Sequence, residues 1–183
     1  MRGRKNIPVH AIWLAQDDPK KNTAVRLSRR GELRLHEKFN HLPRRGIILE
    51  PLCGKVLGPE DHSLLLEERG SLVGLDCSWA QIESSVDQVM KRTKLKGRML
   101  PLLLAANPVN WGKPSKMTTA EALAASLYLI GREEQARQLL SAFRWGEQFF
   151  ILNKEPLEAY RGAKSSSELV DLQFEFFDIP RSK

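Results

Sequence analysis

Cysteine is scarce in this chain: two in 183 residues, Cys53 and Cys77. They stand far apart, with no CxxC pair and no histidines at ligand spacing. That argues against a disulfide framework or a zinc site and leaves two reduced, intracellular thiols. The four histidines, His10, His36, His41 and His62, form no ligand pattern of their own and read as exposed or core imidazoles, so no metal is expected. No apolar run approaches the ~18 residues of a membrane span. No GxGxxG follows a strand, and no GxSxG elbow is present. Cys53-Gly54-Lys55-Val56-Leu57-Gly58 lacks Walker spacing and its closing Lys-Ser/Thr. A Ser/His/Asp triad gathered from scattered positions stays open. Internal repeats and low-complexity segments are missing as well.

What is there is an ordinary globular composition with an excess of positive charge. Hydrophobic residues make up 42%, the 12 glycines raise the apolar share to about 49%, and 28% of residues are charged. A chain of this length buries roughly 70% of its unfolded surface and needs no covalent staple to hold a core. Lys and Arg number 29 against 22 Asp and Glu, a net charge of +7, with a pI near 9.6 and a mean hydropathy of −0.37. That balance points to a polyanionic partner, nucleic acid before membrane. The start, Met1-Arg2-Gly3-Arg4-Lys5 and then Ile7 to Ala15, has the outline of a signal peptide. Pro8 and His10 interrupt its apolar part, and no small-x-small site follows. It reads better as the first buried strand of a cytoplasmic protein.

Short apolar runs alternate with helical stretches through the first half, the pattern of a parallel α/β sheet. Strands are expected at residues 9–15, 47–49 and 72–75, with Asp76 at the carboxyl end of the last. Helices are expected from Asp17-Asp18-Pro19 to about Gly31, from Pro59 to Gly70 and from about Trp79 to Lys91. Residues 100–106 read as a further buried strand, with a helix left open by periodicity. Residues 107–114 are loop by their Asn, Pro and Gly content. From Thr118 the character changes. Thr118-Thr119-Ala120-Glu121 is a capping box opening a helix that ends near Gly131. A second helix covers about 132–143, residues 149–152 are apolar, and Ser165 to Glu168 is another box opening a final helix. We therefore expect an α/β part on a parallel sheet over residues 1–97. A mainly α-helical part over residues 98–183 completes the site, and no strand is needed after about residue 106.

Ligands of open α/β sheets sit outside the carboxyl ends of the strands. Residues 17–23, Leu49-Glu50-Pro51, Leu75-Asp76-Cys77-Ser78-Trp79 and residues 107–110 all fall at or near such ends. On spacing alone, Asp76 serves as well as a helix N-cap as it does as a chemical group, and Trp79 is more often core than platform.

Together, four segments resemble the rRNA aminocarboxypropyltransferases of ribosome biogenesis in archaea and eukaryotes. They are Asp18-Pro19-Lys20-Lys21-Asn22-Thr23, Leu75-Asp76-Cys77-Ser78-Trp79, Leu100-Pro101 running into Ala105-Ala106-Asn107-Pro108-Val109-Asn110-Trp111-Gly112, and Met117-Thr118-Thr119-Ala120-Glu121-Ala122. Phe143-Arg144-Trp145-Gly146 adds support, and the lack of a long acidic tail looks archaeal. The resemblance implies a SPOUT-like fold with a deep trefoil knot around the cofactor site, an exception to ordinary topology. It implies S-adenosyl-L-methionine as co-substrate, no metal and a monomeric protein. The implied reaction moves the 3-amino-3-carboxypropyl group to N3 of N1-methylpseudouridine in small-subunit rRNA or a pre-ribosomal particle, releasing methylthioadenosine.

Residue by residue, the resemblance puts the cofactor carboxylate on Thr23 and Thr119 and the ribose hydroxyls on the Leu75 carbonyl. Adenine meets the backbones of Leu100 and Ser115 between Leu49, Pro51, Met117 and Ala122; Ser115 and Met117 depart from the aromatic and the leucine often found there. Trp79 and Ile82 wall off the methyl, leaving Cγ open to attack, and the Trp79 ring face attracts a sulfonium. Asp76 is the acid placed for proton chemistry, with removal of the N3 proton slightly preferred over partnering the sulfonium. RNA phosphates are expected on Lys20, Lys21, Arg44, Arg45, Lys94, Lys96, Arg98 and Lys113, and Arg144 with Trp145 are base-stacking candidates. Two other readings use the same features: a SPOUT-type RNA methyltransferase and a non-catalytic rRNA-binding assembly factor. Trp79 in its Asp-Cys-Ser-Trp setting argues against the former, and retention of Thr23, Asp76 and Trp79 against the latter.

Overall fold

Five parallel strands, β1 (Val9–Trp13), β2 (Arg34–His36), β3 (Gly46–Leu49), β4 (Ser71–Asp76) and β5 (Lys96–Arg98), form one sheet in the order β2-β1-β4-β3-β5. The computed structural model describes residues 5–14 and 18–181, and the Trp79 side chain lies outside that description. Successive residues of the central strands alternate between two cores. Ile47, Leu49 and Leu72 face one; Ile48 and Val73 face the other. Burial on both faces is why these strands read as unbroken apolar runs. The expected strands at 9–15, 47–49 and 72–75 are present, although β1 ends at Trp13 and Ala15 lies outside the described residues.

Among the described residues there are seven α-helices, in chain order α1 (Thr23–Arg29), α2 (Ile82–Arg92), α3 (Thr119–Leu129), α4 (Glu133–Leu140), α5 (Gly146–Leu152), α6 (Lys154–Gly162) and α7 (Ser166–Phe176). The larger core, with members from Ile7 to Leu169, packs α1, α3 and the later helices on one face of the sheet. The smaller one gathers Ile12, Ile48, Val73, Val89 and Leu95 under α2 and the short turn Phe39–His41. Gly74 lets α3 descend onto β4, since a Cβ there would stand 2.8 Å from Thr119 Cγ2. Among the described residues, no helix is long and apolar enough to cross a membrane.

Several local expectations change. The first helix starts at Thr23, because Asn22 caps it by accepting from the Val25 N–H at 3.0 Å. Asp17 lies outside the described residues, and Asp18 closes a preceding turn by accepting from the Lys20 N–H at 3.0 Å. Between Pro59 and Gly70 a 3-10 turn, Pro59–Asp61, and one π-helical turn, Ser63–Glu67, replace a regular helix. The wide turn brings the Gly70 N–H onto the Leu64 carbonyl at 2.8 Å, just before β4. Residues 79–91 open as a 3-10 turn, Trp79–Gln81, before α2.

Residues 100–106 are not a strand of the sheet; β5 takes that edge, and side chains of late helices satisfy the backbone beyond it. The Leu102 N–H donates to Gln173 Oε1 at 2.7 Å, and the Leu102 carbonyl accepts from the Tyr160 hydroxyl at 3.1 Å. The Asn153 amide serves both the N–H and the carbonyl of Leu104, at 2.7 and 2.8 Å. Buried backbone must find partners, and here Asn153, Tyr160 and Gln173 stand in for a ladder. The Thr118 box forms in both directions, with Glu121 N–H to Thr118 Oγ1 at 3.3 Å and Thr118 N–H to Glu121 Oε2 at 2.7 Å. The Ser165 box is half formed: Ser165 Oγ accepts from the Glu168 N–H, but the Glu168 carboxylate takes the Lys164 N–H instead.

Candidate active site

The carboxyl ends of β3, β4 and β5 and the first turn of α3 border a cleft of about 380 Å³, a volume suited to a small molecule. Of the residues expected around a cofactor, Leu49, Pro51, Leu75, Ile82 and Leu100 line it, as do Ser115, Met117, Thr119 and Ala122. Thr23 stands outside that lining, but its hydroxyl accepts from the Ala120 N–H at 3.3 Å, so the starts of α1 and α3 face each other. Trp79 is placed by its backbone alone, one turn before Ile82. The Ser115 N–H is taken by the Leu103 carbonyl at 2.9 Å, and Ser115 adopts a left-handed backbone (φ 57°).

Asp76 closes β4 with 9% of its surface exposed. Its Oδ1 accepts from the Thr119 hydroxyl at 2.9 Å and its Oδ2 from Asn22 Nδ2 at 2.5 Å. One carboxylate therefore joins the end of β4, the cap of α1 and the first residue of α3. These contacts orient Asp76. Asn22 escapes the sequence reading because Asp17, Asp18 and Pro19 offer the same capping chemistry a turn earlier.

Two further buried carboxylates shape the cleft. Glu121 is fully buried. Its Oε1 accepts from the N–H groups of Ala106 (2.7 Å) and Asn107 (3.1 Å); its Oε2 accepts from Asn107 Nδ2 (2.8 Å), the Thr118 N–H (2.7 Å) and the Thr118 hydroxyl (2.9 Å). A buried charge with that many donors is a satisfied one. It fixes the loop that ends in Met117 and Thr118 at the cleft wall. The capping pattern accounts for the Thr118 contacts; the reach back to residues 106 and 107 had no local signal. Glu50, 3% exposed, lines the cleft and accepts from the Leu52 N–H at 2.6 Å, setting the turn that presents Pro51. Burial pushes the nearby Cys53 thiol above its ordinary value, so it stays protonated at neutral pH.

The basic residues separate. Lys20, Lys21 and Lys113 are exposed at the cleft end of the sheet. Arg44 and Arg45 precede β3, and Lys94 and Lys96 sit at the start of β5, exposed but at the opposite end. Arg98 differs from expectation. Its side chain is 11% exposed, lines the cleft and pairs with Asp61 through Nη2 at 2.8 Å and Nε at 2.9 Å, while Nη1 donates to the Gly97 carbonyl. Its charge is spent inside the protein, and breaking such a buried pair to meet a phosphate is costly. Trp145 has a face covered by Phe143, with ring centroids 4.9 Å apart, and packs on the core; Arg144 is exposed. Among the described residues, no group of three or more His, Cys, Asp or Glu side chains is placed to hold a metal ion.

An apolar cleft at the carboxyl ends of an open parallel sheet, with an anchored carboxylate beside it and exposed lysines at the same end, defines an α/β protein with a cleft of the kind that suits a small molecule. Residues 47–177 match the family described as ribosome biogenesis protein, C-terminal. The chain is 41% identical over 169 residues to the 16S rRNA aminocarboxypropyltransferase of Methanosarcina acetivorans, covering 92% of this chain and 94% of that one. It is 45% identical over 159 residues to the protein of the same name from Methanopyrus kandleri, covering 87% and 92%. Its structure is similar to that of the SAM-dependent rRNA:acp-transferase Tsr3 from Vulcanisaeta distributa, with a TM-score of 0.78 and 37% identity over 93% of this chain and 98% of that one. The chain belongs to this family.

Proposed function

We propose that the protein transfers the 3-amino-3-carboxypropyl group of S-adenosyl-L-methionine to N3 of N1-methylpseudouridine in small-subunit rRNA, with methylthioadenosine as the by-product. The observation that carries this reading is the convergence of Asp76, Asn22, Thr23 and Thr119 beside an apolar cleft, on a chain whose relatives bear that activity in their names.

The residues present fit the co-substrate. Leu49, Pro51, Leu100, Met117 and Ala122 supply the apolar surface a purine ring needs, and the Leu75 carbonyl accepts from ribose hydroxyls. The hydroxyls of Thr23 and Thr119, set where α1 and α3 begin, suit a carboxylate. With the Ser115 N–H already donated to Leu103, adenine is left to the Ser115 carbonyl and the Leu100 backbone. Ile82, with Trp79 one turn before it, walls off the methyl. The sulfonium supplies an electrophilic carbon on each arm. In the transfer the S–Cγ bond breaks with its electron pair going to sulfur, which loses its charge; an N3–Cγ bond forms, and the N3 proton passes to solvent water. The paired contacts of Asp76 favour a fixed carboxylate partnering that sulfonium over a general base, because a base must turn its oxygen toward the proton it takes.

Lys20, Lys21 and Lys113, exposed at the same end of the sheet as the cleft, take the phosphates nearest the target. Arg44, Arg45, Lys94 and Lys96 serve RNA that passes around the sheet edge. The chain acts as a monomer in the cytoplasm, on small-subunit rRNA or a pre-ribosomal particle. Its fold is a SPOUT-like deep trefoil knot; residues 100–106, held by side chains of α6, α7 and the cap residue Asn153 between α5 and α6, support that threading.

The test uses S-adenosylmethionine labelled in either the methyl or the carboxyl carbon, with small-subunit rRNA carrying N1-methylpseudouridine. Carboxyl label alone should enter the RNA. Methyl label in the RNA would make the protein a methyltransferase, and neither label, with cofactor bound and competent RNA, would make it an assembly factor.

A further inference from the structure

Residues 103–115 fold back on themselves as a small hairpin beside the cleft. The Ala105 N–H donates to the Lys113 carbonyl at 3.0 Å, the Gly112 N–H to the Ala105 carbonyl at 2.7 Å, and the Ser115 N–H to the Leu103 carbonyl at 2.9 Å. Asn107, 3% exposed, closes the tip by accepting from the Asn110 N–H at 3.0 Å, and its amide is gripped by Glu121 at 2.8 Å. Gly112 turns the chain with φ +73°, a conformation that favours glycine. So braced a tip is rigid.

That rigid tip holds its large apolar side chains out in water. Trp111 is 53% exposed and Val109 82%. Single exposed apolar residues are ordinary, but an indole fixed on a hydrogen-bonded turn, with a valine beside it, is a prepared surface. Its charge points to the partner. Residues 107–117 contain no acidic residue, and Lys113 and Lys116, two and five residues after Trp111, are exposed. Ser115, at the cleft wall, is four residues from Trp111, at most about 14 Å along extended chain. A flat aromatic face next to cations is what recognition of unpaired bases uses.

We propose that Trp111 is a stacking platform for an unpaired nucleobase of the RNA flanking the modified nucleotide, with Lys113 on the adjoining phosphate. This rests on the rRNA substrate proposed above and adds the residue that holds the flanking base. Trp145, a stacking candidate by sequence, has a face covered by Phe143.

The experiment compares wild type, Trp111→Phe, Trp111→Leu and Lys113→Ala in three measurements: binding of a fluorescein-labelled single-stranded RNA 12-mer, KM for small-subunit rRNA, and calorimetric affinity for S-adenosylmethionine. Trp111→Leu should weaken RNA binding and raise KM by about five- to a hundredfold, the range for losing one stacked base. Trp111→Phe should stay within about threefold, because a flat ring is kept. Lys113→Ala should lower the slope of log affinity against log salt by about 0.7. Cofactor affinity should be unchanged in all three, which also certifies folding. Wild-type RNA binding by Trp111→Leu, or Phe and Leu variants that are equally impaired, would overturn the platform while leaving the transferase reading intact. A defect confined to pre-ribosomal particles and absent on naked RNA would assign the tip to a protein partner and also overturn it. If the wild-type protein transfers no group to RNA at all, the functional reading fails and the platform falls with it.

Discussion

The two ends of the parallel sheet carry concavities of opposite character. At the amino ends a depression of about 680 Å³ opens among Asn6, His10, Arg34 and Gln135, larger than the 380 Å³ cleft at the carboxyl ends. Several of its polar groups are bonded within the fold. His10 Nδ1 and His36 Nε2 meet at 2.9 Å, and Gln135 bonds both the N–H and the carbonyl of Ile7, at 3.0 and 2.7 Å. These contacts hold an edge of the fold together and converge on no common space. At the carboxyl ends the polar groups tie helix starts and loops into a frame around an apolar hollow. In a parallel sheet with its helices on the faces, capping residues of returning helices gather at that end. Volume therefore misleads, and convergence identifies the site.

The largest expected effect breaks the frame. Glu121→Ala leaves the buried N–H groups of Ala106, Asn107 and Thr118 without their acceptor, each worth about 1–3 kcal/mol. A melting temperature lower by about 10 °C or more should result, together with loss of S-adenosylmethionine binding in calorimetry. A variant that melts like wild type would show that the frame does not hold the cleft.

Asp76→Asn tests the chemistry of that end. The amide can keep the contacts with Asn22 and Thr119, accepting from the one and donating to the oxygen of the other, while the charge is removed. A sulfonium partner predicts that cofactor affinity and transfer rate fall together, by about ten- to a hundredfold. A fall in rate with affinity intact would restore the general-base role.

The cations sharpen the contrast further. Replacing Lys20, Lys21 and Lys113 by alanine should lower the salt slope of RNA binding by about 2, at about 0.7 per phosphate. Replacing Arg44, Arg45, Lys94 and Lys96 should change it less per residue. The reverse order would move the RNA to the amino end.

The smallest effect belongs to the amino end itself. Burial, with help from His36 and Arg34, lowers the His10 pKa from 6.5 to about 4. Between those values the unfolded chain binds a proton that the folded chain refuses, so stability should fall as pH drops from 7 toward 4. Thermal melts of His10→Asn should show a flatter dependence across that window; an unchanged pH profile would show that His10 does not carry this linkage.

What could be read without the structure follows the same division. β1, β3 and β4 announced themselves because strands covered on both faces become apolar runs. β2 and β5 are three-residue edge strands of polar character, and Lys96-Gly97-Arg98 looked like part of a basic surface. A run of charge reports composition, not direction, so the sequence points Arg98 outward although it turns inward to Asp61. Residues 100–106 showed burial correctly but not its partner, since an apolar segment looks alike whether its backbone bonds a strand or the side chains of Asn153, Tyr160 and Gln173. Spacing alone led only to strand ends near Asp76; the particular residues of the cleft came through the family resemblance. The long-range grip of Glu121 on residues 106 and 107 depends on tertiary placement and had no local pattern to betray it.

The central claim is that the smaller, apolar concavity at the carboxyl ends holds the co-substrate. Calorimetry with S-adenosylmethionine on two filling variants tests it most directly. Ala122→Trp places an indole in the cleft, and Gln138→Trp places one in the larger depression at the amino ends. Binding should be lost in the first variant and unchanged in the second, with both melting near the wild-type temperature. Binding that survives in Ala122→Trp and disappears in Gln138→Trp would contradict the account.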